Sequence, residues 1–201
     1  MEILETMDNF FTVRVDGYDE HMRSSIEGAD VFYKYTASLL PDTELANVLD
    51  LGCGTGLELE EYFAVNPTAR VTGIDLTEAM LKKLDAKFPD KDINLICGSY
   101  FEEPCGEDVY DAAVSVESLH HFTKEEKIPL YKKLYNALKE GGYFILTDFF
   151  AATDKEEISL RQELMKIRRE QNLKDDEFYH FDTPLTVEHE TEALKQAGLY
   201  Y

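Results

Sequence analysis

Val48-Leu49-Asp50-Leu51-Gly52-Cys53-Gly54-Thr55-Gly56 is the stretch on which the reading of this chain turns. A short apolar strand, Asn47–Leu51, runs into glycines at 52, 54 and 56, and Leu57–Val65 follows as a helix ending at Asn66-Pro67. The glycines let the backbone turn sharply and approach a ligand without side-chain clash. The helix behind them adds the positive end of its dipole. Spacing discriminates among nucleotide loops. The dinucleotide fingerprint G-x-G-x-x-G would need glycine at 57, where Leu57 stands, and a P-loop would need a Lys-Ser/Thr pair that is missing. A tight G-x-G-x-G after an acidic residue, Asp50, remains.

Outward from this loop, short apolar runs alternate with amphipathic segments. Arg70–Asp75 (RVTGID) is a second strand, and Thr77 caps a helix that runs to Phe88 and stops at Pro89. Residues 93–97 (INLIC) form a third strand, closed by Gly98, and Tyr110–Val116 (YDAAVSV) a fourth. Thr123 with Glu126 makes a capping box for a helix through Lys139, which Gly141-Gly142 terminates. Residues 143–147 (YFILT) are the fifth strand. Thr153 and Glu156 form a second capping box, opening a charged helix to about Asn172, and a last helix spans 187–197 before Gly198. Near-continuous apolar strands separated by helices imply parallel pairing with both faces covered, and right-handed crossovers then give a doubly wound α/β sheet. Ligands of such sheets bind at the carboxyl ends of the strands. Ahead of the first strand, Phe10, Phe11, Tyr18, Met22, Ile26, Phe32, Tyr33 and Tyr35 make an aromatic-rich, helical stretch over 1–45. It folds over the strand ends as a lid or packs on the sheet edge.

Composition narrows the function classes. A hydrophobic share of 44% and an aromatic share of 12% fit an ordinary globular chain. No apolar run approaches the roughly 20 residues that span a bilayer, and the acidic start Met-Glu-Ile-Leu-Glu lacks the basic opening of a secretory signal. A cytoplasmic protein is expected. The formal charge of -21 repels phosphate backbones and works against nucleic-acid substrates, Lys166, Arg168 and Arg169 being the best candidates for a local basic patch. Cys53, Cys97 and Cys105 lack C-x-x-C spacing, so they read as buried free thiols rather than a disulfide framework, and no metal site is expected.

Asp50-Leu51-Gly52-Cys53-Gly54-Thr55-Gly56 resembles the first motif of class I S-adenosylmethionine-dependent methyltransferases, which implies a Rossmann-like fold and S-adenosylmethionine as cofactor, with S-adenosylhomocysteine as product. The resemblance extends over about residues 45–150: G-I-D-L-T around Asp75 and Leu76, C-G-S-Y with Ser99 and Tyr100, Y-D-A-A-V-S-V-E-S-L-H-H-F with Glu117, and L-K-E-G-G-Y-F-I-L. It implies that Asp75 holds the ribose hydroxyls and that Ser99 and Tyr100 meet adenine, although many relatives carry Asp at the Ser99 position. Asp50, Gly52, Cys53, Gly54, Gly56, Leu76 and Glu117 complete the implied cofactor set. A single methyltransferase domain over 1–201 follows, with a lid at 1–45, a cofactor-binding core at 46–150 and C-terminal helices at 151–201.

The acceptor is less legible. Methyl transfer from a sulfonium is an in-line displacement, so the protein has to align the acceptor and exclude water, and a base is needed only where the acceptor loses a proton. Glu117-Ser118-Leu119-His120-His121-Phe122 should face the transferred methyl. The Asn/Asp-Pro-Pro-aromatic motif of base-amine and glutamine methylating relatives is absent, which argues against those substrates; a small-molecule acceptor is expected, the alternatives being a non-catalytic protein that binds the nucleotide as a regulator or, less favoured, an RNA methyltransferase. His120 and His121 could each act as base or pack on the core; similar pairs in menaquinone- and small-molecule-methylating relatives favour His120. Arg14, Tyr18 and His21 share one helix face, and the resemblance places an aromatic near Tyr18 at the methionine end. Asp148-Phe149-Phe150 ends the fifth strand and lines the acceptor pocket, with Asp148 orienting an amine or hydroxyl. The family closes its sheet with a hairpin, which is missing from this sequence at Gly198-Leu199-Tyr200-Tyr201. Truncation or a covering partner, such as a second copy in a homodimer, would account for that.

Overall fold

The structure is a computed structural model that describes residues 3–174 and 177–200. Five strands pair all parallel in the order β3-β2-β1-β4-β5. They are β1 (Asn47–Leu51), β2 (Arg70–Asp75), β3 (Asp92–Cys97), β4 (Tyr110–Val116) and β5 (Leu138–Thr147). The chain winds outward from β1 to β3, returns to β1's other side for β4, and so reverses direction between β1 and β4. A crevice opens beyond the strand ends at such a reversal. Helices α4 (Leu57–Val65), α5 (Glu78–Lys87) and α6 (Lys124–Ala137) make the crossovers.

Side-chain alternation divides the core in two. Val48, Val71, Ala112 and Val114 face a cluster with Leu57, Tyr62 and Phe63, whereas Leu49, Leu51, Ile74 and Ala113 face one with Leu130, Tyr131 and Leu134. β1 and β4 are buried nearly throughout, as expected for covered parallel strands. The flanking β3 and β5 are only half-buried, so their apolar runs reflect edge positions rather than full coverage. On the second face, α6 packs on α8 (Val187–Gln196), where buried Lys127 donates to Glu190 at 2.5 Å and the Tyr131 hydroxyl donates to the same carboxylate.

Several expectations are corrected in detail. The α6 capping box forms fully, but α6 ends at Ala137 and Gly141-Gly142 lie inside β5 rather than stopping a helix. The register shifts between Tyr110 and Ala112, and a Cβ at Gly142 would meet Lys139 O at 2.9 Å and Tyr110 O at 3.1 Å. Close backbone approach at a bulge, not helix termination, therefore requires glycine there. Thr77 occupies the N-cap of α5 without a hydroxyl cap bond. At α7 (Asp154–Gln171) the Thr153 hydroxyl accepts from Glu156 N, but the Glu156 carboxylate accepts from Ala152 N, so the second box is not reciprocal. Cys53 and Cys105 are buried as expected, whereas Cys97 is exposed. In the proposed basic patch, Lys166 pairs with Glu170 and Arg168 donates to Lys174 O, so part of that charge is engaged within the chain.

Residues ahead of β1 form three helices, α1 (Met7–Thr12), α2 (Val15–Ser25) and α3 (Ala29–Leu39). The helix α3 packs on α4, while α2 is latched over the strand ends. Asp19 accepts from Thr55 at 2.6 Å and pairs with Lys87 at 2.7 Å, and Lys83 donates to Val15 O at 2.8 Å. No helix among the described residues is long and apolar enough to cross a membrane.

Candidate active site

Two cavities meet at the carboxyl ends of the strands. The inner one, about 60 Å³, is lined by Gly52, Gly54, Asp75, Leu76, Ser99 and Tyr100, with Met7, Phe11 and Phe178 above them. Local sequence builds most of it. Gly52 (φ 76°) turns the chain after β1, and a Cβ on it would fall 2.0 Å from the Ser118 hydroxyl, so glycine lets the loop after β4 close in. Asp75, at the end of β2, accepts from Gly54 N at 2.9 Å and from Thr77 N at 2.8 Å. A carboxylate ending an apolar strand needs such partners, and these two amides make Asp75 the staple of the glycine loop as well as a lining group. Burial nonetheless raises the Asp75 carboxyl above the usual range. The Ser99 hydroxyl accepts from Phe101 N at 3.3 Å, and the Tyr100 hydroxyl lies 3.2 Å from that of Ser118.

Three of the expected cofactor residues do not line this cavity. Asp50 is buried beneath the loop beside Glu58, with neither oxygen partnered by a donor group. Burial raises both carboxyls, Glu58 to about 7, and the neighbouring Glu58 charge raises Asp50 further. Cys53 turns its sulfur into the core against Gly73, where an added Cβ would come within 2.7 Å of it. Gly56 (φ 73°) begins α4 with Leu84 and Phe88 packed against it. Gly56 and Cys53 thus hold the loop's shape from behind.

The outer cavity, about 680 Å³, lies between the N-terminal helices and the loops after β4 and β5. Arg14, Tyr18 and His21 all line it, on the shared face expected of them, together with Phe149, His180 and Asp182. Tyr18, Phe11, Glu117 and His121 line both cavities and form the wall between them. Glu117 is the most unusual of these. Its backbone is left-handed (φ 53°), which a side-chain-bearing residue adopts only when held there, and its buried Oε2 has no partner. Burial, then the charge of Asp148, lift its carboxyl to about 7, with His120 opposing them.

His120 does not stand free as a base. Its Nδ1 lies 2.5 Å from Asp148 Oδ1 and its Nε2 3.4 Å from Asp182 Oδ1. Burial lowers its pKa, but the two carboxylates outweigh burial and raise it to about 9, so His120 is charged at neutral pH. Burial and the His120 charge lower His121, and burial then the neighbouring histidines lower His180 to about 4. Asp148 is spent on structure: its other oxygen accepts from Leu119 N at 2.8 Å, and it is absent from the cavity wall, as is Phe150. Sequence reasoning missed His180 and Asp182. They precede α8 in a segment without a motif, drawn in because Thr183 donates to His120 O at 2.9 Å and to His121 O at 3.1 Å. That segment meets the N-terminus through an antiparallel Thr6–Tyr179 bridge and a Phe10–His180 stack at 3.5 Å.

A methyltransferase-domain family matches residues 48–142. The chain is 30% identical over 161 residues to the biotin biosynthesis bifunctional protein BioHC of Teredinibacter turnerae, covering 76% of this chain but only 26% of that protein. It is 27% identical to an uncharacterized methyltransferase of Geobacillus thermodenitrificans, over 93% of this chain and 83% of the relative. The solved cyclopropane synthase MmaA2 of Mycobacterium tuberculosis shares the fold, with a TM-score of 0.67, 17% identity and coverage of 89% of this chain and 64% of that one. The lining of the inner cavity, rather than its volume, suits the family's donor: its wall carries an unpartnered buried Glu117 oxygen, and its floor has glycine where a Cβ would collide. The chain belongs to the class I S-adenosylmethionine-dependent methyltransferases.

Proposed function

We propose that the inner cavity holds S-adenosylmethionine and that the outer cavity presents a small-molecule acceptor to it across the wall of Phe11, Tyr18, Glu117 and His121. The observation that carries this reading is the shared wall: two cavities of different character meet at four side chains beyond the strand reversal. When bound, the donor supplies an activated methyl group on a sulfonium. The chain's residues then have the tasks of binding, aligning and keeping water out.

In this reading Asp75 takes the ribose hydroxyls, Leu76, Ser99 and Tyr100 embrace the adenine, and Gly52 and Gly54 let the methionine end approach the backbone. Glu117 and Tyr18 flank the methionine end. Phe10, Phe11, Val13, Met22, Ile26 and Phe149 give the outer cavity an apolar lining, which suits a ring or chain bearing one polar group. His120, charged and fixed by two carboxylates, serves as a hydrogen-bond donor that orients that group, and neutral His121 is the better placed to accept a proton. A nucleic acid is disfavoured as acceptor by the net charge of -21.

The test is transfer of isotope-labelled methyl from S-adenosylmethionine into fractionated metabolite pools, preceded by calorimetry with S-adenosylhomocysteine. Binding with labelled product below about 1 kDa, the size class of ordinary pocket ligands, is expected. Label entering only RNA, or no binding at all, overturns the reading.

A further inference from the structure

We propose that His120, His121 and Asp182 form a binding site for a zinc-class divalent cation on the wall of the outer cavity. The two histidines sit in the single 3-10 turn Leu119–His121 that follows β4, and Asp182 arrives from the segment before α8. Thr183 fastens that segment to the carbonyls of both histidines, so the aspartate is held against the pair by backbone contacts rather than by its own side chain alone.

Three observations converge. First, the spacing suits a metal. Asp182 Oδ1 lies 3.4 Å from His120 Nε2 and 3.3 Å from His121 Nδ1, and the three atoms all fall within 4.8 Å of one another. Ligands about 2.1 Å from a tetrahedral zinc stand about 3.4 Å apart. Second, His120 is already oriented as metal-bound histidines are. Its far nitrogen, Nδ1, meets buried Asp148, whose other oxygen is fixed by Leu119 N. Such a carboxylate–histidine pairing fixes the ring, and a metal displaces the Nε2 proton of charged His120 to take its lone pair, so that with metal bound neither histidine keeps the donor or base role given above. Third, access is asymmetric. Both imidazoles are buried, whereas the Asp182 side chain is 56% exposed and all three residues line the outer cavity.

Two imidazole nitrogens and one carboxylate oxygen favour zinc over magnesium or calcium, which take all-oxygen shells. Three protein ligands leave one tetrahedral position open, and it faces the space assigned above to the acceptor; that clause alone rests on the proposed function. An oxygen or sulfur atom of the acceptor would fill it. The competing account is a metal-free ion cluster, in which Asp182 accepts from both rings and Phe181 O, 3.1 Å from His121 Nδ1, accepts from that same N–H.

Tag-free protein stripped with a chelator is titrated with zinc chloride, and with cobalt chloride for its visible spectrum, at neutral pH. One zinc per chain and tetrahedral cobalt bands are expected. Asp182→Ala and the near-isosteric Asp182→Asn should each weaken zinc more than about tenfold, and Asp148→Asn by roughly 10–100-fold. His189→Ala, on α8 outside the cluster, should bind as the unaltered chain does. Circular dichroism establishes that each variant is folded, and Asp182→Asn keeps the test intact if the alanine variant is not. Calorimetry with S-adenosylhomocysteine on the same samples reads the inner cavity separately. Substoichiometric zinc in the unaltered chain, or unaltered affinity in folded Asp182 variants, overturns the proposal.

Discussion

The inner and outer cavities share a wall, yet they are made of different materials. The inner one is backbone turned at strand ends: Gly52 closing under Ser118, and Asp75 stapling the amides of Gly54 and Thr77. The outer one is side chains gathered from far apart, with Arg14 and Tyr18 from the N-terminal helical segment, His120 and His121 after β4, Phe149 after β5, and His180 and Asp182 before α8. A site of the first kind tolerates little change, because its shape is the fold's own. A site of the second kind can change residue by residue while the fold stands.

The sharpest way to break that contrast is Gly52→Ala. The new Cβ meets the Ser118 hydroxyl in a backbone conformation that disfavours alanine, so S-adenosylhomocysteine affinity should fall by more than about 100-fold. Calorimetry on the folded variant checks it; near-normal affinity would show that the loop is not built by close approach. Asp75→Ala comes next. Loss of charge-assisted hydrogen bonds worth about 1.5–3 kcal/mol predicts roughly 10–150-fold weaker binding of the same ligand. An unchanged dissociation constant would confine Asp75 to stapling the loop.

On the other side of the wall, Phe149→Ala should raise the acceptor KM about fivefold, in line with losing roughly 1 kcal/mol of partly exposed aromatic contact. S-adenosylhomocysteine affinity should not move. If both change together, the cavities are not separable. The smallest effect concerns the buried carboxyls beneath the glycine loop. Glu58 titrates near its ordinary 4.5 when unfolded and at about 7 when folded, so folding takes up a proton. Its contribution to stability is complete below about 4.5 and is lost as pH rises through about 7. Urea midpoints across that window should decline more steeply for the unaltered chain than for Glu58→Gln, and parallel curves would show that Glu58 takes up no proton on folding.

The same contrast explains what the sequence disclosed. Val48 to Gly56 and Asp75 are local signals: a strand, a turn and a helix compete with nothing distant, so their placement follows from a few adjacent residues. The sheet order followed as well, because parallel strands with right-handed crossovers leave few arrangements. Where backbone approached backbone across elements, reading by position failed. Gly141-Gly142 looked like a helix stop because two glycines after a periodic run usually are one, but Tyr110 O lay opposite and made them a strand bulge. Cys53 carries the loop's x position yet turns inward, since Gly73 on the adjacent strand leaves room for its sulfur. His180 and Asp182 gave no signal because their importance comes from contacts with residues about 60 positions earlier, which no periodicity encodes.

The segment before α8 has one further consequence. It is buttoned down at its end, by Thr183 on the histidine carbonyls, by Ala151 N donating to Leu185 O and by Glu157 receiving Thr186 N, while Lys127 and Glu190 rivet the helix beyond it to α6. Residues 179–182 therefore hang between a fixed hem at one end and Phe178, packed on Phe101 and Phe122, at the other. They form an exchangeable cartridge: a different loop, sewn to the same hem, would hand the same methyl donor a new customer.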